Sequence, residues 1–298
     1  MECEKKIRCL FGTDGVRDVA NKGLMTPELA LRLGRSYVLY LTERGAPRPR
    51  VVVGRDTRRS GVMIEAAVIA GMMSAGAHVL TAGVIPTPGV SFLVRDHSAN
   101  GGCIISASHN PAEYNGIKFL DGDGCKLADD AEASIEEYLG DNLIDDWRPT
   151  GASVGVSEDV SSGGADYSRW IMTLLHDRDL PGKNVVVDCA NGAAVSVFSK
   201  LSGSLPGWSF IGMKPDGLNI NDGFGVMHMA SLSGEVLARN ASFGIAYDGD
   251  ADRVLCVDGK GRMIDGDIML WVLGRWMSRR GTLGSGVVAT VMSNMALE

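Results

Sequence analysis

Gly102-Cys103-Ile104-Ile105-Ser106-Ala107-Ser108-His109-Asn110-Pro111 carries an apolar run straight into small polar residues, a histidine, an asparagine and a proline. A short all-apolar run suits a strand covered on both faces. Its polar continuation falls outside the carboxyl end of that strand, where ligands of α/β folds bind, and there it presents a hydroxyl. Small polar residues after a strand are, on their own, ordinary turn chemistry. The sequel changes that reading. Pro111 fixes the loop, and the His109 imidazole can hydrogen-bond near a hydroxyl and its phosphate. Ser106 and Ser108 are both candidates for that hydroxyl.

Working outward, strands and helices alternate. Thr26-Pro27-Glu28 reads as an N-cap, a first-turn proline and a first-turn acid. Apolar residues recur at Leu29, Leu33, Tyr37, Tyr40 and Leu41 until Gly45 and Pro47 stop the helix. Val51-Val52-Val53 is a second buried-strand run. Gly54-Arg55-Asp56-Thr57-Arg58 turns the chain into a helix with Ile64, Ala67, Val68, Gly71, Met72 and Ala75 on one side, closed by Gly76. The Met72-Met73 pair reads as core filling. The same module returns at Lys183–Asp188 before Cys-Ala-Asn-Gly-Ala-Ala, and a third strand is expected at Gly286–Val291. Alternating units of this kind indicate tandem α/β domains. Boundaries are expected near 150, ahead of a Ser/Gly-rich stretch, and near 253, giving domains at 1–150 and 151–253 and the opening of a third at 254–298.

Downstream, Tyr247-Asp248-Gly249-Asp250-Ala251-Asp252-Arg253 places three carboxylates at alternate positions. Carboxylates that close repel one another, and a cation is the economical answer. All-oxygen ligation points to Mg²⁺, with Mn²⁺ as a substitute. A calcium loop beginning at Asp248 fails, because Arg253 stands where that loop needs glycine and Gly259 where it needs glutamate. The apolar flanks argue against an acidic surface turn. Mg²⁺ keeps open positions for phosphate oxygens. A phosphate on Ser108 would fill one, with Arg253 sharing its charge.

Other basic residues gather in motifs. Asn115-Gly116-Ile117-Lys118 opens a strand with a lysine, which can neutralise phosphoryl charge, or move a hydroxyl proton if its pKa is lowered. Phe11-Gly12-Thr13-Asp14-Gly15-Val16-Arg17 is a glycine-punctuated loop ending in arginine. With Arg55 and Arg58 ahead of a helix N-terminus it makes a candidate anion wall, although both arginines suit structural ion pairs equally. His78, His97, His176 and His228 show no metal-ligand spacing.

Composition bounds the rest. The 298 residues are 45% hydrophobic with a net charge of −7, which argues against disorder and against nonspecific nucleic-acid binding. Cys3, Cys9, Cys103, Cys125, Cys189 and Cys256 make no Cys-x-x-Cys pair, and three of them sit in strand-like runs. With no signal-peptide core after Met1–Lys6 and no apolar stretch long enough to span a bilayer, a cytoplasmic protein without membrane partners is expected. Oligomeric state is not legible.

Taken together, FGTDGVR (11–17), VVVGRDTRRSG (51–61), ISASHNPAEYNGIKF (105–119), GLNIND (217–222) and DGDADR (248–253) resemble the α-D-phosphohexomutases across essentially the whole chain. The first and third are closer to the glucosamine branch than to the phosphomannomutase/phosphoglucomutase branch. The resemblance implies tandem domains with mixed sheets sandwiched by helices. It makes Ser108 the phosphorylated serine, whose phosphate binds one Mg²⁺ together with Asp248, Asp250 and Asp252. Arg17 and Lys118 would flank the reacting phosphate, with Lys118 as acid/base, and His109 is expected to act beside Ser108. Arg253, Asn110 and Arg55 are expected to bind the phosphosugar substrate. The implied reaction interconverts glucosamine 6-phosphate and glucosamine 1-phosphate through a sugar 1,6-bisphosphate. Rival readings are another sugar specificity within the family, a noncatalytic phosphosugar-binding protein, and a hydrolase in which water replaces the sugar hydroxyl. Asp18 departs from the family pattern, which has glycine after this arginine; it is expected to add charge and stiffness beside the site. The sugar-reading loop and fourth domain of the family have no counterpart, so the chain is read as an N-terminal portion whose turnover alone is in doubt.

Overall fold

The computed structural model describes residues 10–140, 143–174 and 183–295. Cys3, Cys9, His176 and the Met1–Lys6 segment lie outside them.

A first sheet holds β1 (Val16–Val19), β2 (Arg50–Arg55), β3 (His78–Val84), β4 (Gly101–Ile105), β5 (Tyr114–Leu120) and β6 (Val156–Asp159) in the order β1-β5-β4-β2-β3-β6. Strands β4, β2, β3 and β6 are parallel, and β5, antiparallel to both β4 and β1, alone runs against the rest. The buried runs read from sequence are its centre. On β2 and β4, Val51, Val53, Cys103 and Ile105 enter one core, while Val52 and Ile104 enter another on the opposite face. Successive side chains of a strand point to opposite faces, so an all-apolar strand requires cover on both.

That cover comes from helices α1 (Pro27–Glu43), α2 (Arg59–Ser74) and α4 (Asp129–Gly140) on one side and α3 (Thr87–Asp96) on the other, with α5 (Leu143–Asp146) following α4. The α1 start is as read: the Thr26 hydroxyl accepts from Leu29 N. Helices α1 and α2 approach closely because Gly34 is small; a Cβ there would meet the Val68 carbonyl oxygen at 2.5 Å. Tyr37 stacks on Phe119 with centroids 4.2 Å apart, and its buried hydroxyl donates to the Leu120 carbonyl at 2.5 Å.

The second sheet holds β7 (Val185–Asp188), β8 (Trp208–Ile211), β9 (Phe243–Tyr247), β10 (Val254–Asp258) and β11 (Met263–Ile264) in the order β11-β10-β9-β7-β8. Its helices are α6 (Gly163–Leu174), α7 (Val195–Leu201) and α8 (Met229–Ala238), and α9 (Gly266–Arg279) follows the sheet. An aromatic cluster of Phe92 on α3 with Tyr167 and Trp170 on α6 joins the two halves, with centroids 5.2–6.0 Å apart.

Both sheets run past the boundaries read from sequence. The first takes β6 from beyond 150, and the Val254–Ile264 hairpin pairs into the second rather than opening a separate unit. We therefore propose divisions after Asp159 and after Ile264. The strand expected at Gly286–Val291 is absent: that stretch is irregular, and Val288 and Val291 are almost wholly exposed. A strand is held by its neighbours, and no neighbouring strand lies against it among the described residues. No described helix is long and apolar enough to cross a membrane.

Tyr37→Phe leaves the Leu120 carbonyl without this donor in the core. It is expected to lower unfolding free energy by about 1–2 kcal/mol, read as an earlier urea midpoint at unchanged slope.

Candidate active site

The site forms where the carboxyl ends of β2 and β4 meet the turn after β9. Parallel pairing sets Arg55 beside Ile105, so Asp56 and Ser106 leave the sheet together. The Ser106 hydroxyl donates to Asp56 Oδ2 at 2.7 Å and accepts from the Ser108 amide at 2.8 Å. That tie shapes a turn in which Ser108 is left-handed, with φ +53°. The fully buried Ser108 hydroxyl then points at the other sheet, donating to Asp248 Oδ2 at 2.6 Å. Of the two serines, Ser108 reaches the acidic turn and Ser106 supports it.

Asp248, Asp250 and Asp252 bring one carboxylate oxygen each to within 4.8 Å of one another. Ala251, between Asp250 and Asp252, is left-handed (φ +57°). Asp250 is held from the first half: Thr87 donates its hydroxyl to Oδ2 at 2.6 Å and its amide to the Asp250 carbonyl at 2.9 Å. Oδ2 also takes Lys118 Nζ at 3.1 Å. Oδ1 of Asp250 is buried and has no hydrogen-bond partner. A buried carboxylate oxygen without a donor is costly. Three clustered carboxylates with one such orphaned oxygen fit a hard cation with oxygen ligands.

Lys118 Nζ also lies 3.2 Å from Asp252 Oδ2 and 3.6 Å from Asp14 Oδ2, and Asp14 in turn pairs with Arg17. Burial pushes the Lys118 ammonium down, but Asp250, Asp14 and Asp252 outweigh it and its pKa is raised. Lys118 is thus enclosed by three carboxylates. Burial, reinforced by Asp250 and Asp252, pushes Asp248 up to about 6. Burial also opposes the Asp250 charge, yet Lys118, the Thr87 hydroxyl and Arg17 hold its pKa below the usual carboxylate range. His109 is lowered by burial and by Arg253 and Arg17. Its Nδ1 lies 2.8 Å from Arg253 Nη1 and 3.5 Å from Ser108 Oγ. Beside it, a cavity of about 800 Å³ is lined by His109, Asn110, Tyr114, Asn221, Asp222 and His228, among others.

The structure thus gathers Ser108, His109, Lys118, Arg17, Arg253 and the three aspartates. Asn110 lines the adjoining cavity. Arg55 goes elsewhere: its Nε donates to Glu65 Oε2 on α2 at 2.8 Å. The first amide of α2 is likewise taken, by the Gly217 carbonyl at 2.9 Å, so the part of the candidate anion wall read at Arg55, Arg58 and the following helix N-terminus is a packed junction. Asp14, Asp56, Thr87 and Asn221 were not singled out from sequence. Asp14 sits inside the quoted FGTDGVR run, and Thr87 has no motif to mark it.

Residues 8–143 match the family described as phosphoglucomutase/phosphomannomutase, alpha/beta/alpha domain I. Over 289 residues the chain is 48% identical to the phosphoglucosamine mutase of Oceanobacillus iheyensis, covering 96% of this chain and 64% of that protein. The chain belongs to the α-D-phosphohexomutase family. The phosphoglucosamine mutase of Bacillus subtilis is 46% identical over 287 residues, 96% of this chain and 63% of its own. The chain therefore spans just under two thirds of these curated relatives. Among solved structures, a putative phosphomannomutase from Thermus thermophilus superposes with a TM-score of 0.76 at 28% identity, covering 93% of this chain and 62% of that one. A phosphoglucomutase/phosphomannomutase family protein from Burkholderia thailandensis gives 0.75 at 26% identity, covering 91% and 59%.

Asp18, where this phosphohexomutase departs from the pattern of its family, has a local task. Its Oδ1 accepts from Val19 N and its Oδ2 from Leu24 N, each at 2.7 Å, and these bonds lower its pKa. The carboxylate is spent on the 18–25 turn, not on the site. Asp18→Asn replaces an acceptor with a donor facing Leu24 N and is expected to cost about 1 kcal/mol near neutral pH. A depressed carboxylate contributes its stability above the unfolded pKa and loses it as pH falls through the folded value. The gap between wild type and Asp18→Asn should therefore close below about pH 4, as followed by denaturant midpoints.

Proposed function

We propose that this chain carries the phosphoryl-transfer half of a phosphoglucosamine mutase, with Ser108 as phosphate carrier between the two hydroxyls of a hexosamine phosphate. The observation that carries the reading is a serine hydroxyl 2.6 Å from one member of an aspartate cluster that retains an orphaned buried oxygen. Relatives that bear the phosphoglucosamine mutase name, at 46–48% identity, support the glucosamine specificity.

Asp248, Asp250, Asp252 and a phosphate oxygen on Ser108 would hold Mg²⁺. When bound it supplies charge neutralisation for the phosphoryl oxygens. The residues do the remainder. In the first transfer the Ser108 Oγ–phosphorus bond breaks as a phosphorus–oxygen bond to the sugar forms. One proton moves, net, from the sugar hydroxyl to Ser108 Oγ. The return transfer from the other end of the 1,6-bisphosphate reverses both changes. Lys118, held by Asp250, Asp252 and Asp14, keeps a fixed ammonium beside the reacting phosphoryl group. Arg253 and Arg17 add cationic donors, and His109 is oriented by Arg253. Such catalysis is positioning plus electrostatics. The adjoining cavity suits the phosphosugar, with Asn110 on its wall. Free, buried Cys103 and Cys189 suit a reducing compartment, and we place the protein in the cytoplasm.

The test is intact mass and phosphopeptide mapping after incubation with glucosamine 1,6-bisphosphate and Mg²⁺. One phosphate on Ser108, discharged by glucosamine 6-phosphate and absent in Ser108→Ala, is expected. A folded, Mg²⁺-binding chain that never gains phosphate would be a binding protein instead, and inorganic phosphate released in step with discharge would mark a hydrolase. Asp250→Asn should weaken Mg²⁺ binding by roughly tenfold or more, measured by calorimetry.

A further inference from the structure

Two donors outside the phosphoryl chemistry converge on the backbone beneath Ser108, one from each half of the molecule. Arg58, wholly buried, anchors its Nε on Asp56 Oδ2 at 2.8 Å. Its Nη2 donates to the carbonyls of Ser108 at 2.9 Å and Asn110 at 2.7 Å, and its Nη1 to those of Tyr114 at 3.0 Å and Pro111. From the second half, the Asn221 side-chain amide donates to the same two carbonyls, of Ser108 at 2.9 Å and Asn110 at 3.2 Å. Asn221 is itself pinned: its own N–H donates to the Ala190 carbonyl at 2.8 Å, it is left-handed (φ +60°), and it is 6% exposed.

A carbonyl oxygen has two lone pairs, and here each half supplies a donor to the Ser108 carbonyl. The metal-loop backbone closes over the same point. A Cβ on Gly249 would lie 2.6 Å from the Ser108 carbonyl oxygen and 3.0 Å from Asn221 Nδ2, so only glycine permits the approach. The conformation held there is strained. A left-handed residue other than glycine is strained and persists only where its surroundings over-determine it. A buried Arg–Asp pair is weak evidence for stability in itself. A guanidinium satisfied by four loop carbonyls has a more specific use.

We propose that Arg58 and Asn221 are positioning residues, a two-sided clamp on the Ser108 and Asn110 carbonyls that keeps the nucleophile left-handed and registers its hydroxyl against Asp248 across the two sheets. The catalytic consequence rests on Ser108 being the phosphate carrier; the geometric one does not. Neither residue hydrogen-bonds the three aspartates, so the clamp sets the rate of transfer and not the affinity for metal.

The experiment uses the 298-residue chain and the variants Asn221→Ala, Asn221→Asp and Arg58→Lys. Hydrogen exchange is followed by mass spectrometry over 105–115, with 51–53 as an internal reference. Asn221→Ala is expected to speed exchange of the loop amides roughly tenfold while the reference is unmoved, as for local opening. Phosphorylation of Ser108 by glucosamine 1,6-bisphosphate is expected to lose roughly 10–100-fold in maximal rate, with the Mg²⁺ affinity unchanged. Asn221→Asp, which sets a carboxylate against two carbonyl oxygens, should be worse than Asn221→Ala on both readouts. Wild-type loop exchange in Asn221→Ala, or a loss confined to bisphosphate or Mg²⁺ affinity, overturns the proposal. Should Arg58→Lys not fold, the Asn221 variants decide alone. If the wild-type chain takes no phosphate, the proposed function fails, and the exchange measurement still judges the clamp.

Discussion

A single hydrogen bond, from the Ser108 hydroxyl to Asp248 across 2.6 Å, ties the end of one sheet to the end of another. Everything around it serves that juxtaposition. The two backbones meet at Gly249, whose missing side chain lets the acidic turn lie against the serine carbonyl. The serine keeps its unusual backbone because its amide is taken by Ser106, and its carbonyl by Arg58 and Asn221. Parallel pairing of β2 with β4 is what places Asp56 under Ser106 in the first place. Topology thus comes before chemistry here.

Charge is the second constraint. Three carboxylates in one turn oppose one another, and burial raises the cost of each charge. The fold answers unevenly. Asp250 receives a lysine and a threonine hydroxyl, and its pKa falls; Asp248, with only a hydroxyl and a backbone amide, is pushed up to about 6. The uneven compensation leaves one oxygen of Asp250 turned into the protein without a donor. A divalent cation would satisfy it. Within a chain of net charge −7, Lys118, Arg17 and Arg253 are nonetheless collected at this one place.

Sequence and structure part company where a residue's task depends on who arrives beside it. Arg55 and Arg58 stand in one basic turn, and nothing local distinguishes them. Register sends Arg55 to Glu65 and Arg58 under the serine loop. Lys118 stands alone in its own strand, and three carboxylates from two other segments gather on it. The apolar run at Gly286–Val291 has strand composition but no pairing partner among the described residues, and composition cannot supply one. Asp18 adds a charge in sequence, yet the turn it caps absorbs that charge.

What the sequence determined by itself was everything set by local pattern. All-apolar runs made β2 and β4 central strands, Thr26-Pro27-Glu28 opened α1, and alternate aspartates set three carboxylates in one turn. The order of the motifs identified the family, and it singled out Ser108 and the three aspartates, which the fold brings into one place. Only the tertiary structure decided which serine reaches the aspartates, which arginine is structural, how far each sheet extends, and that Asn221 and Thr87 belong to the site at all. The placements of Ser108, Asn221 and Thr87 depend on contacts between residues 113 to 163 positions apart. Such contacts are fixed by strand order and register, which no short stretch of sequence contains.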